Sequence, residues 1–189
     1  MDEPRTILLV EDNPADVYLI RRAVEECGSD IHLFVVPDGG EALSFLQKDA
    51  PFMHMSSPAL ILLDLNLPKM HGAQVLPAMR HLPGYLEIPI VVLSAAAKER
   101  EEDHCLQLGA TAYVQKSSNF YVYFNSLKAI VHTWLGHEGT SSGVSPRERR
   151  EGERIPSRIP RIPAAHSTTT RPPGARPKGK TALSAKRGE

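Results

Sequence analysis

Leu60-Ile61-Leu62-Leu63-Asp64 is the stretch on which the fold turns. Four successive aliphatic positions leave no polar face, so a strand here must be covered on both sides. A strand inside a parallel sheet, with helices above and below, meets that condition. The same pattern recurs around it. Residues 6–10 are Thr-Ile-Leu-Leu-Val and run into Glu11-Asp12. Residues 89–93 lead to Ser94, residues 112–115 lead to Lys116, and residues 31–36 add a further strand. Stretches of helical period lie between them. Asn13 is an N-cap with Pro14 at the first helical position, Val17, Ile20, Val24 and Cys27 share one face, and Gly28 is the stop. Residues 40–48 form a short helix, and residues 73–79 form another after a proline-bearing loop. Residues 98–108 form a fourth helix closed by Gly109, while Phe120, Phe124, Leu127, Val131 and Trp134 mark a fifth that ends at Gly136. Five strands in strict alternation with five helices make a doubly wound α/β domain with a parallel sheet.

Charge and composition place the boundary of that domain. The 189 residues carry 22 Lys and Arg against 22 Asp and Glu, but the balance is uneven along the chain. Residues 1–135 hold 10 basic and 17 acidic side chains, and residues 136–189 hold 12 and 5. The last segment also contains seven Pro, seven Gly and no aromatic residue. Such a composition buries too little apolar surface to offset chain entropy. The expected organisation is a domain over residues 1–135 and a disordered basic Pro/Gly-rich tail over 136–189. Two cysteines, Cys27 and Cys105, exclude a disulfide scaffold and a cysteine-rich zinc site. No apolar run is long enough to span a membrane and the acidic N-terminus is not a signal peptide, so a cytoplasmic protein is expected.

In an open α/β sheet, ligands bind outside the carboxyl ends of the strands. The groups there are Glu11, Asp12, Asp64, Ser94 and Lys116. Any one of them alone is an ordinary solvated strand end. Together they place three carboxylates, a hydroxyl and an ammonium on one rim. Clustered carboxylates repel unless a counter-charge joins them. Hard oxygen donors suit Mg²⁺, which binds through one or two carboxylates together with phosphate oxygens. A carboxylate can itself be a nucleophile toward phosphorus, with cation, lysine and hydroxyl sharing the phosphoryl charge.

On these residues the sequence resembles the receiver domains of two-component response regulators. The resemblance covers residues 5–135. It rests on Glu11-Asp12 after Ile7-Leu8-Leu9-Val10, on Asp64 within Leu62-Leu63-Asp64-Leu65-Asn66-Leu67-Pro68, and on Gly72, Ser94, Tyr113 and Lys116. Phrases such as Val10-Glu11-Asp12-Asn13-Pro14-Ala15-Asp16 are similar to single-domain regulators paired with phytochrome-type kinases. The resemblance implies a flavodoxin-like sheet of order 2-1-3-4-5 and a phosphorylation switch rather than a turnover enzyme. It implies that Asp64 accepts a phosphoryl group from a histidine kinase, and that Mg²⁺ is held by Asp12, Asp64, the Asn66 carbonyl and, through water, Glu11. Ser94 and Lys116 would contact phosphoryl oxygens. Tyr113 would move inward with Ser94, changing the face of the fourth helix, fifth strand and fifth helix, which is also the candidate homodimer surface.

Three positions depart from the family pattern. Glu11 stands where an aspartate is usual, and its longer side chain still reaches a metal-bound water. His71 precedes Gly72 and reads as an exposed loop residue. Ser117 follows Lys116 in place of proline. A non-proline cis bond costs about 2.5–4 kcal/mol, so this bond is expected trans and the lysine less firmly aimed. A haloacid-dehalogenase-type phosphatase is a poorer fit, because Asn66 cannot act as its general acid. A flavin or nucleotide binder lacks its glycine-rich loop. The alternative output is the basic tail, with its repeated Arg-Ile-Pro, acting on a partner or weakly on nucleic acid, although nucleic acid is not the expected partner.

Overall fold

In the computed structural model of the protein, residues 5–96 and 99–136 are described. They form β1 (Arg5–Val10), α1 (Pro14–Glu25), β2 (Ile31–Val36), α2 (Gly39–Gln47), β3 (Leu60–Asp64), α3 (Gly72–His81), β4 (Ile90–Ser94), α4 (Glu99–Gln107), β5 (Ala112–Gln115) and α5 (Phe120–Leu135). The sheet is parallel throughout and ordered β2-β1-β3-β4-β5. The expected alternation and strand order are both present. The tail over 136–189 lies outside the described residues beyond Gly136.

Alternate residues of each inner strand face opposite layers, as the pleat requires. Leu8, Val10, Ile61, Leu63, Ile90 and Val92 share one core with Phe45, Val75, Met79 and Cys105 from α2, α3 and α4. Ile7, Leu9, Leu60, Leu62, Val91 and Leu93 share the other with Ile20, Val24, Leu127 and Val131 from α1 and α5. Every position of β3 is buried. The strand needs aliphatic residues throughout because both of its faces are covered. Each leucine of this size contributes about 1.5–3 kcal/mol relative to exposure.

Helix starts are fixed by side-chain caps. Asn13 accepts from the Ala15 N–H and Asp38 from the Glu41 N–H, while Asn119 accepts from the Val122 N–H. His71 is exposed, as expected, but it also has a local task. Its ring nitrogen accepts from Ala73 N–H, and the Gln74 side chain answers the His71 backbone N–H, a reciprocal cap for α3. Gly72 is required by close approach. A β-carbon there would lie 2.3 Å from the Asp64 carbonyl oxygen and 2.9 Å from Leu65 Cα. The start of α3 therefore presses directly on the backbone that carries Asp64.

Candidate functional site

The strand order reverses between β1 and β3, since the chain leaves β1 toward β2 on one side and returns to β3 on the other. That switch point opens a crevice at the carboxyl ends of the strands. Glu11 and Asp12 follow β1 and Asp64 closes β3, so all three carboxylates stand at its mouth. One oxygen from each lies within 4.8 Å of the others. Glu11 and Asp64 are buried and Asp12 is exposed.

Backbone pairing aims these groups. Glu11 N–H donates to the Val36 carbonyl at 3.0 Å and Leu65 N–H to the Leu93 carbonyl at 3.2 Å. Lys116 N–H donates to the Ser94 carbonyl at 2.7 Å, which carries the β4–β5 ladder one residue further. Among the described residues the cis peptide bond is Ala50–Pro51, so Lys116–Ser117 is trans as expected. Its side chain is nevertheless held firmly, which corrects the expectation of a loosely aimed lysine. The Lys116 ammonium lies 2.7 Å from Glu11 Oε2, 2.7 Å from Asp16 Oδ2 and 2.9 Å from Asp64 Oδ1. Burial works against the ammonium, but its contacts with the Asp16, Asp64 and Glu11 carboxylates outweigh it and raise the lysine above its ordinary value. For Glu11 the balance is reversed. Burial raises its carboxyl despite the lysine and the Asn13 N–H at 3.0 Å.

Asp64 is held on one side only. Its Oδ2 accepts from the Asn66 N–H at 3.0 Å. Its Oδ1 is buried and has no aligned hydrogen bond, only the ion-pair contact with Lys116. Buried polar atoms in folded proteins normally find partners. An under-coordinated carboxylate oxygen beside two other carboxylates fits a hard divalent cation or an attacking role toward phosphorus. Asn66 is exposed beside it, with its backbone N–H already engaged.

Ser94 at the end of β4 and Tyr113 within β5 form a second group. The buried Ser94 hydroxyl donates to Glu101 Oε2 at 2.8 Å and accepts from Ala96 N–H at 3.1 Å. The half-buried Tyr113 hydroxyl lies 2.7 Å from the same Glu101 oxygen and 2.8 Å from the Ala96 carbonyl. The sequence reading brought Glu11, Asp12, Asp64, Ser94 and Lys116 to one rim, and in the structure each of them ends or directly follows β1, β3, β4 or β5. It missed Asp16 and Glu101. Asp16 sits four residues after Asp12, a spacing that marks the next helical turn, but nothing local pairs it with a lysine 100 positions away. Glu101 lies within the run Glu99-Arg100-Glu101-Glu102-Asp103, which reads as a solvated helix face.

Among the described residues no helix is long and apolar enough to cross a membrane. Response regulator Rcp1 of Synechocystis sp. (strain ATCC 27184 / PCC 6803 / Kazusa) is 36% identical over 132 residues, which cover 70% of this chain and 90% of that protein. The crystal structure of the Mn(2+)-bound form of Rcp1 matches with a TM-score of 0.66 at 35% identity, over 75% of this chain and all 100% of that one. The phosphorylated cyanobacterial phytochrome response regulator RcpA matches with a TM-score of 0.66 at 39% identity, over 69% of this chain and 94% of its own. The family profile of the response regulator receiver domain matches residues 7–127. The chain belongs to the response regulator receiver domain family, the phosphorylation-dependent switches of two-component signalling.

Proposed function

We propose that Asp64 is the phosphoacceptor, that the donor is a histidine of a phytochrome-type kinase, and that Mg²⁺ assists the transfer. The observation that carries this reading is the Asp64 carboxylate. It is buried, pinned through Oδ2, left without an aligned hydrogen bond at Oδ1, and faces a lysine. An Asp64 oxygen attacks phosphorus as the P–N bond breaks, and the electron pair of that bond stays on the imidazole nitrogen. Asp12 and Asp64 would hold the cation with the Asn66 carbonyl, and Glu11 through water. When bound, the cation neutralises charge on the phosphoryl oxygens. Lys116 pairs with one phosphoryl oxygen, exchanging part of its carboxylate contact for it. Ser94 donates to another, and Tyr113 follows the space that Ser94 vacates. The metal-bound and phosphorylated states named for Rcp1 and RcpA support this reading by similarity.

Residues 1–135 act as the switch in this reading, and the face of α4, β5 and α5 carries the change to a partner or a second copy. The experiment is incubation with Mg²⁺ and acetyl phosphate, followed by intact mass. The parent gains the mass of one phosphoryl group and Asp64→Asn gains none. Equal labelling of the variant would remove Asp64 from the role.

A further inference from the structure

Ser94 and Tyr113 stand on neighbouring strands, yet their hydroxyls meet at a single oxygen of a third residue. Both lie within hydrogen-bond distance of Glu101 Oε2, at 2.8 and 2.7 Å. A hydroxyl has one hydrogen to donate. While the Ser94 hydrogen is donated to Glu101, Ser94 Oγ can only accept, and it does so from Ala96 N–H at 3.1 Å. An accepting oxygen offers nothing to an anionic phosphoryl group. The hydroxyl found at the end of β4 is therefore turned to a carboxylate on α4 and cannot serve Asp64 until that bond breaks. The single Tyr113 hydrogen is shared between the same Glu101 oxygen at 2.7 Å and the Ala96 carbonyl at 2.8 Å.

We propose that Glu101 is a positioning residue that holds Ser94 and Tyr113 in the unphosphorylated arrangement, so that phosphorylation of Asp64 must take Ser94 from it. The inference rests on Asp64 as phosphoacceptor and extends that reading to α4. Two anionic acceptors, the Glu101 carboxylate and the phosphoryl oxygens, compete for one hydrogen. When the phosphoryl group wins, Glu101 loses a partner in the first turn of α4, and the helix is informed of the event by that loss. Hydrogen bonds to a charged acceptor are about twice as strong as neutral ones, so Ser94 leaves Glu101 only for another anion. Burial, and then the Glu101 carboxylate, hold the Tyr113 hydroxyl well above its ordinary range, so it stays a donor throughout.

The test uses the full chain with Glu101→Gln and Glu101→Ala, each alone and combined with Ser94→Ala. Initial phosphoryl uptake from acetyl phosphate at saturating Mg²⁺ is followed by intact mass, and the Tyr113 ring resonance by NMR. Loss of one charge-assisted bond corresponds to about a tenfold shift in such an equilibrium. Glu101→Gln keeps the shape and is expected to speed uptake by several fold, with Glu101→Ala reaching about tenfold. Before phosphorylation, the Tyr113 resonance of both variants moves toward its phosphorylated position. In the Ser94→Ala background the acceleration disappears, as required if Glu101 acts through Ser94. Uptake at the parent rate with an unmoved Tyr113 signal overturns the proposal, and so does an acceleration that survives Ser94→Ala. A parent chain that takes up no phosphoryl group overturns both this inference and the assignment of Asp64, whereas normal parent uptake with silent Glu101 variants overturns this one alone.

Discussion

Lys116 is the side chain on which the electrostatics of the rim depend. Three carboxylates converge on its ammonium within 2.9 Å, and two of them, Glu11 and Asp64, are almost fully buried. Removing one partner from a buried pair leaves the other uncompensated, which costs more than the pair itself contributes. Lys116→Met is therefore expected to destabilise the metal-free protein by about 2 kcal/mol, less than a fully enclosed pair would lose because the rim admits water. The stranded carboxylates attract a divalent cation more strongly. Thermal melts with and without Mg²⁺ should show a larger gain on Mg²⁺ addition in the variant than in the parent. An equal gain in both would mean that the lysine does not neutralise the cluster.

Among the elements, the loop from β3 to α3 is the part that carries site geometry without regular structure. It is pressed by Gly72 against Asp64 and tethered at Lys69, which adopts a φ of +67° and reaches Asp38 Oδ2 at 2.6 Å. Asp38 is at once the N-cap of α2 and the anchor of this loop. Asp38→Ala removes the cap and is expected to cost about 1 kcal/mol. Asp38→Asn keeps a capping oxygen and removes only the charge. The Lys69 hydrogen bond, and after it the Glu41 N–H, hold the Asp38 carboxyl below its ordinary value of 3.8. A depressed carboxylate contributes stability that is present above the unfolded value and lost as pH falls through the folded one. Urea unfolding should therefore show the parent ahead of Asp38→Asn at pH 7, with the difference closing below about pH 4. A gap that persists in acid would separate the loop tether from the Asp38 charge. The capping roles of Asp38 and His71 were less legible than that of Asn13. Asn-Pro announces a helix start, whereas Pro37-Asp38-Gly39-Gly40 allows several, and a histidine cap depends on where its ring settles.

At the scale of the whole molecule, two cores close on the sheet within the described residues, and α5 completes the second one at Leu135. Among the described residues, the rim groups named above all lie at or before Lys116. A fragment of residues 1–135 is expected to fold, to bind Mg²⁺ and to take up phosphate on Asp64, checked by thermal denaturation and intact mass. The basic segment that it lacks carries 12 Lys and Arg against 5 Asp and Glu, opposite in sign to the rest of the chain. Any effect of that segment on uptake should be modest and should shrink at high salt, because exposed charge pairing is weak and screened. An unfolded fragment would move the domain boundary past residue 135.

The order of strands and helices was written in local pattern. Burial on two faces demands unbroken aliphatic runs such as Leu60–Leu63, and helices declare themselves by period and by stops such as Gly109, so both can be read without a partner in view. The strand-end residues were legible for the same reason, since a charge that ends a buried run has to emerge on the rim. What only the tertiary structure decided is which charge meets which. Lys116 finds Asp16 because α1 and the end of β5 come together across 100 residues of chain, and Ser94 and Tyr113 find Glu101 because α4 lies over the ends of two strands. Side-chain pairing of this kind depends on the packing of whole elements rather than on any local preference, and neither partner carries a mark of it in its own stretch of sequence.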